Sequence, residues 1–175
     1  MEIVTTFIPN LYAFHFPGKE LDALEGVFDD WENPLFLYDF FTDNQSDLKG
    51  EWTIEEAIVN TRQEVKKFRK RMLDYASTSP HDLNQFFTNL YNNEYKQSLL
   101  GRQKAKQIWL RLYALKITQE EKEDLYVITG GMIKLTKNME DRDHGKTERD
   151  KVNQCRDYLK TIGVYDIDSL FEICF

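Results

Sequence analysis

The chain has only 2 cysteines, 3 histidines, 4 prolines and 8 glycines in 175 residues. Each scarcity removes a class of protein. Two cysteines, Cys155 and Cys174, cannot build a disulfide scaffold, and their spacing suits neither a zinc site nor a CxxC redox pair. They fit a reducing cytoplasm. His15, His81 and His144 are too scattered to suggest a metal centre, so no metal and no cofactor is expected. Low glycine and proline exclude collagen-like and low-complexity chains. No window holds the roughly 18 apolar residues that a membrane helix needs. Met1 to Phe7 has no basic region ahead of a long apolar stretch, so no signal peptide is expected. The phosphate loop GxxxxGK, the zinc helix HExxH and the nucleophile elbow GxSxG are all missing.

What remains is ordinary globular chemistry. The composition is 41% hydrophobic and 30% charged, with 12 Phe and 9 Tyr to build a core. A chain of this length should bury roughly two thirds of its unfolded surface as one domain. Net charge is -7, but its distribution is uneven. Residues 1–50 hold 10 acidic and 2 basic side chains, whereas residues 101–160 hold 14 basic and 10 acidic. Only the second stretch offers the local basic footprint that a phosphate backbone requires. The overall acidity argues against indiscriminate binding to nucleic acid or an anionic membrane.

Hydrophobic period gives the elements. Leu11 to Phe16 (LYAFHF) reads as a strand stopped by Pro17-Gly18. Leu21, Leu24, Val27, Phe28 and Trp31 recur at helical spacing. LFLYDFF, after Pro34, fits a helix better than a strand, and residues 42–51 read as a loop. Thr53 and Glu56 form a capping box ahead of a long helix striped by Ile54, Ile58, Thr61, Val65, Phe68, Met72 and Tyr75. Ser79-Pro80 looks like a second helix start, with Leu83, Phe86, Phe87, Leu90 and Tyr91 on its buried face. The helical segment is therefore expected over about 53–107. Ile108 to Ile117 is strand-like. Leu125–Thr129 and Met132–Thr136 flank Gly130-Gly131, which predicts a two-residue hairpin turn with Ile128 facing Ile133 and Lys134 inside the return strand. A last helix is expected from Thr147 to about Thr161, with Cys155 in its inner stripe as a small core residue.

The fold class is thus α+β: a small twisted antiparallel sheet packed with helices, plus an additional helical segment. One chemical grouping stands out. Arg111 and Lys116 lie on the first strong strand, Lys134 and Lys137 on the expected return strand, and Arg142, His144 and Lys146 follow. Cations position a phosphate and stabilise the charge added in a transition state. An imidazole moves protons near neutrality, which makes His144 the natural proton carrier. The competing reading is a set of solvated strand edges and loop charges. Arg111, flanked by Leu110 and Leu112, needs either a carboxylate or a phosphate.

The segment Leu100 to Asp166, containing LLGRQKAKQIWLRLYALKI and LYVITGGMIKLTKNMEDRDHGKTERDKVNQCRDYL, resembles the sheet and terminal helix of small RelE/HigB-type toxins. It is most similar to phage-derived and Bacteroidetes relatives of that superfamily, over a little more than a third of the chain. The resemblance implies a metal-independent messenger RNA endoribonuclease, cytoplasmic and ribosome-associated, neutralised by an antitoxin protein. It further implies that Arg111, Lys134, Lys137 and His144 carry catalysis; Lys116, Arg142 and Lys146, named by the cation grouping itself, are the expected RNA contacts. This chain departs from the pattern in being longer and acidic, with extra helices. A catalytically inactive protein-interaction module, using the aromatic N-terminal region and the acidic helix near 19–31, is the alternative, as is a phage-derived accessory protein.

Overall fold

The computed structural model describes residues 1–78, 83–90 and 100–175. The expected helix start at Ser79-Pro80, with His81 and Tyr91, lies outside the described residues.

The protein is α+β. Strands β1 (Glu2–Thr5), β2 (Leu11–His15), β3 (Thr88–Asn89), β4 (Gly101–Gln107), β5 (Leu110–Ile117) and β6 (Leu125–Ile133) form one open sheet. Their order is β1-β2-β6-β5-β4-β3. Every pairing is antiparallel except β2 with β6, which is parallel, so the sheet is mixed and not wholly antiparallel. That parallel pair needs a crossover, and the helices between β2 and β3 supply it. They are α1 (Ala23–Glu32), α2 (Pro34–Asp43), α3 (Ile54–Thr78) and the single turn α4 (Leu83–Phe86). Two more, α5 (Asp143–Thr161) and α6 (Ile167–Cys174), follow β6.

Local chemistry sets the helix ends. Asp22 accepts from the amides of Leu24 and Glu25 at the start of α1, and Asn33 does the same for α2, where Pro34 takes the first position. At α3 the expected box is present: Thr53 N–H donates to Glu56 Oε2 at 2.9 Å, and Glu56 N–H to Thr53 Oγ1 at 3.1 Å. Thr61, Val65, Phe68 and Met72 on the predicted stripe are buried. Residues 101–107, expected to be helical, are instead strand β4. Alternate residues there, Gln103 and Ala105, point inward.

The expected hairpin at Gly130-Gly131 does not form. Leu125–Ile133 is one continuous strand with both glycines inside it, and Lys134 lies just past its end. Tyr113 pairs with Gly130 but Ala114 pairs with Ile128, so Thr129 is the extra residue of a β-bulge. The glycines answer to packing. A Cβ on Gly130 would stand 2.3 Å from both Glu148 Oε1 and Lys151 Nζ of α5. A Cβ on Gly131 would stand 2.7 Å from the Arg111 carbonyl oxygen and 2.8 Å from Val27 Cγ1 of α1. Neighbouring strand residues point to opposite faces, so α5 covers one face of the sheet and α1, backed by α3, the other. Replacing Gly131 by Ala should cost about 1–3 kcal/mol through overpacking. The check is a lower urea midpoint at unchanged slope; an unchanged midpoint contradicts the close approach.

The last helix starts at Asp143, not at Thr147, so His144 and Lys146 lie in its first turn. A short 3₁₀ turn at Met139–Asp141 precedes it, closed by reciprocal bonds between Asn138 and Asp141.

Candidate phosphate-binding site

Residues directly opposite each other in paired strands share a face. Arg111 is opposite Lys106 and Met132, and Tyr113 is opposite Lys104 and Gly130. Lys104, Lys106, Arg111 and Tyr113 therefore stand together on the α5 side of the sheet. There the chain from Lys134 to Glu140 rises beside the β4–β5 half. The result is a cavity of about 210 Å³, lined by Lys104, Arg111, Tyr113, Lys134, Lys137, Asn138 and Glu140 among others.

The three innermost cations are held by carbonyl oxygens. Lys104 Nζ donates to Leu90 O at 3.0 Å. Arg111 Nη1 donates to Ile108 O at 2.7 Å and Leu110 O at 2.8 Å. Lys134 Nζ donates to Lys137 O at 2.5 Å. Among the described residues none of the three is ion-paired with a carboxylate. A carbonyl satisfies a donor without cancelling its charge. Glu140, which lines the cavity and pairs with Arg149 at 3.5 Å, and Asp141 offset part of the charge on Lys134, but four cations stand in the lining against the one carboxylate of Glu140. The lysines register the crowding. Burial holds the Lys134 ammonium below its usual pKa, and the charges of Arg111 and Lys104 lower it further. Burial likewise lowers Lys104, helped by Arg111 and Lys106. Burial also pushes the Arg111 guanidinium down, though an arginine stays protonated at any working pH.

Of the residues singled out in the sequence, Arg111, Lys134 and Lys137 meet here. The other four do not. Lys116 is at the far end of β5, paired with Asp124 at 2.9 Å. Arg142 grips both oxygens of Asp47, with Nε at 2.8 Å and Nη2 at 2.5 Å. Lys146 pairs with Asp143 at 2.9 Å, one turn back on its own helix. His144 Nε2 lies 3.2 Å from Ile133 O, and the ring packs edge-on against Phe40 at 5.3 Å. Because α5 begins early, the imidazole turns to the end of β6 and lines no part of the cation cavity.

Lys104 is the residue that sequence reasoning missed. Its signal was present: Arg102, Lys104 and Lys106 recur with the two-residue period of a strand. Tyr113 and Glu140 were also missed. Cys155, by contrast, is buried, and burial pushes its thiol pKa up to about 12, as befits a core residue.

A second, larger cavity of about 500 Å³ opens where β2 and β6 diverge, lined in part by Asp30, Gly130, Glu148 and Lys151. Glu148 is 6% exposed; its Oε2 is 2.6 Å from Lys151 Nζ, and its Oε1 has no hydrogen-bond partner among the described residues. Burial pushes its carboxyl pKa up to about 7, against the pull of Lys151. Among the described residues no group of three or more His, Cys, Asp or Glu side chains is placed to hold a metal ion. Nor is any helix there long and apolar enough to cross a membrane.

No protein-family model, curated protein or solved structure matches this chain. The functional reading therefore rests on the cation cavity and its neighbours.

Proposed function

We propose that this chain is a RelE/HigB-like, toxin-related protein of the cytoplasm that binds single-stranded messenger RNA through its phosphates and cuts it without a metal ion. The observation behind this reading is the meeting of Lys104, Arg111 and Lys134, from three separate segments, in one cavity where, among the described residues, carbonyl oxygens accept from them and no carboxylate pairs with them. Three like charges held together at a cost are relieved by an anion, and the planar guanidinium fork suits a phosphate.

In this reading a ribose 2′-oxygen attacks the adjacent phosphorus. The O2′–P bond forms as the P–O5′ bond breaks, leaving a 2′,3′-cyclic phosphate and a 5′-hydroxyl. Arg111 and Lys137 stabilise the charge that gathers on the non-bridging oxygens. Lys134 adds its positive charge to theirs, the 2′-hydroxyl proton passes to water, and the Lys104 ammonium, its pKa lowered by burial, protonates the departing 5′-oxygen. Lys104 takes the proton-carrying role in place of His144 because the imidazole packs at Ile133 O and Phe40.

Expression in bacterial cells is expected to arrest growth, and the double change Arg111→Ala with Lys134→Ala to lift the arrest in a protein that still folds. Undiminished growth at high soluble expression of the unaltered chain would overturn the nuclease reading. A protein-interaction module without catalysis draws on a different observation. Leu35 and Tyr38 stand 75% and 51% exposed on α2, next to the acidic α1. That reading expects partner binding, by an antitoxin for example, to survive loss of the sheet cations.

A further inference from the structure

The cation cavity has a neighbour on the other side of Lys134. Leu48, Trp52, Ile108, Trp109 and Leu135 form the apolar part of a concavity of about 270 Å³, Asp47 (neutralised by Arg142), Lys49 and Glu51 complete its wall, and Lys134 borders it and the cation cavity. We infer that this concavity is a nucleobase subsite, taking one unstacked base of a single-stranded RNA whose phosphates lie on the Lys104–Arg111–Lys134 surface. The inference rests on the phosphate-binding reading above and adds to it the part of the substrate that is not phosphate.

Four observations carry it. First, the two concavities share a frame as well as a border. They flank the two-residue β4–β5 turn, Ile108-Trp109, whose Ile108 carbonyl accepts from Arg111 Nη1 at 2.7 Å. The Trp109 carbonyl accepts from the Lys134 amide at 2.8 Å. The cations and the apolar wall are thus tied to one rigid turn.

Second, the wall is aromatic and preorganised. Trp109 is fixed by its Nε1–H donating to Thr61 Oγ1 at 2.9 Å and by Phe41 at 5.7 Å. Trp52 packs edge-to-face on Trp109 at 5.6 Å and 84°. Trp52 remains 36% exposed, whereas Trp31 and Trp109 are 2% and 9% exposed. An indole seated on a rigid partner yet open to solvent is a stacking platform. Base-on-aromatic stacking contributes roughly 1–3 kcal/mol per base and tolerates any sequence.

Third, Ile108 is held at φ 47° with its side chain 45% exposed. A β-branched residue in the left-handed region is a backbone outlier, and such strain gathers at binding sites. Here it turns an apolar side chain outward at the rim of the concavity.

Fourth, the size suits a single ring system. Sites for drug-sized ligands span roughly 300–1,000 Å³, and this one falls just below that range. A ligand that satisfies three cations on one side of Lys134 and an indole face on the other must be a polyanion bearing planar groups. Single-stranded nucleic acid is the class with that chemistry.

Trp52 supplies its own probe, since its exposed indole should lose fluorescence when a base stacks on it. The ligand is a short RNA blocked against cleavage by 2′-O-methyl groups, compared with an abasic strand of equal phosphate number. The RNA is expected to quench the native protein. Trp52→Ala is expected to weaken RNA binding about tenfold, within the stacking range. Trp52→Phe, which keeps a ring, should stay within about threefold of native. The abasic strand should bind native and Trp52→Ala alike, and without quenching. Thermal unfolding of each variant confirms the fold. RNA bound equally by native and Trp52→Ala overturns the base subsite while leaving the phosphate surface in place. Failure of both strands to bind native protein removes the phosphate reading, and the base subsite falls with it.

Discussion

Arg111→Ala should lower affinity for a short single-stranded RNA by about 10- to 100-fold while leaving stability within about 1 kcal/mol of native. The first figure follows from the loss of hydrogen bonds to a charged group, each contributing about 1.5–3 kcal/mol, with 1.4 kcal/mol per tenfold. The second follows from two opposed effects. The variant loses the bonds to the Ile108 and Leu110 carbonyls, but it also relieves repulsion on Lys104 and Lys134, both held below their usual pKa first by burial and then by Arg111. Those two ammonium groups should titrate at higher pH in the variant, as followed by NMR of the lysine side chains. A residue that merely braced the β4–β5 turn would not move them. Arg111→Lys should recover part of the affinity, because it restores charge but not the fork. Lys104→Ala should weaken binding to all sequences alike and reduce the salt slope by about one phosphate contact. An affinity change below threefold for Arg111→Ala would remove the guanidinium from the site.

The elements that were legible in the sequence are those whose signal is local. Thr53 and Glu56 close a box across three residues, and the stripe from Thr61 to Met72 repeats every turn, so α3 could be read without its partners. β5 was legible because Leu110, Leu112, Leu115 and Ile117 have nowhere to go but a buried sheet. Gly130-Gly131 was misread because a glycine pair carries the same local signal in a turn and in a bulge. What separates the two is Val27 on one face and Glu148 with Lys151 on the other, contacts more than fifteen residues away in sequence.

The candidate site divides along the same line. Arg111, Lys134 and Lys137 could be named from strand character and charge, although Lys134 proved to follow its strand instead of sitting within it. Lys104 was lost because β4 has no apolar contrast: Gln103 and Ala105 are its inward residues, and neither announces a core. His144 was placed among the cations because the last helix was expected to start only at Thr147, beyond Gly145. That glycine instead lies where a Cβ would stand 1.9 Å from the Met139 carbonyl oxygen. It lets the first turn of α5 press against the preceding 3₁₀ turn, and the imbedded imidazole swings to Ile133. Charge patterning thus located the surface, and only packing decided which charges reach it.

Raising the pH from about 5 to about 8 should cost the folded protein as much as roughly 3 kcal/mol at Glu148 alone. Burial pushes this carboxyl's pKa from the ordinary 4.5 to about 7, and each pH unit corresponds to about 1.36 kcal/mol. A carboxyl raised on folding binds its proton more tightly in the native state than in the unfolded chain. Its contribution is therefore fully present below about pH 4.5 and is lost as pH rises through about 7. Carboxyls with lowered pKa, such as Glu64, Asp166 and Asp168, act in the opposite sense and in a different window, losing stability only as pH falls below about 4.5. Asp30 lines the same large cavity. Asp30 on α1 is itself raised by burial and by Asp29, against the pull of Lys19 and Lys151. Glu148→Gln keeps an acceptor for Lys151 and removes the titration. Its urea midpoint should change much less than the native midpoint between about pH 5 and pH 8, and at the higher pH it should match or exceed native. If the native slope persists in Glu148→Gln and disappears in Asp30→Asn, the titrating group is Asp30, and the Glu148 carboxyl ionises in its seat over Gly130 without cost.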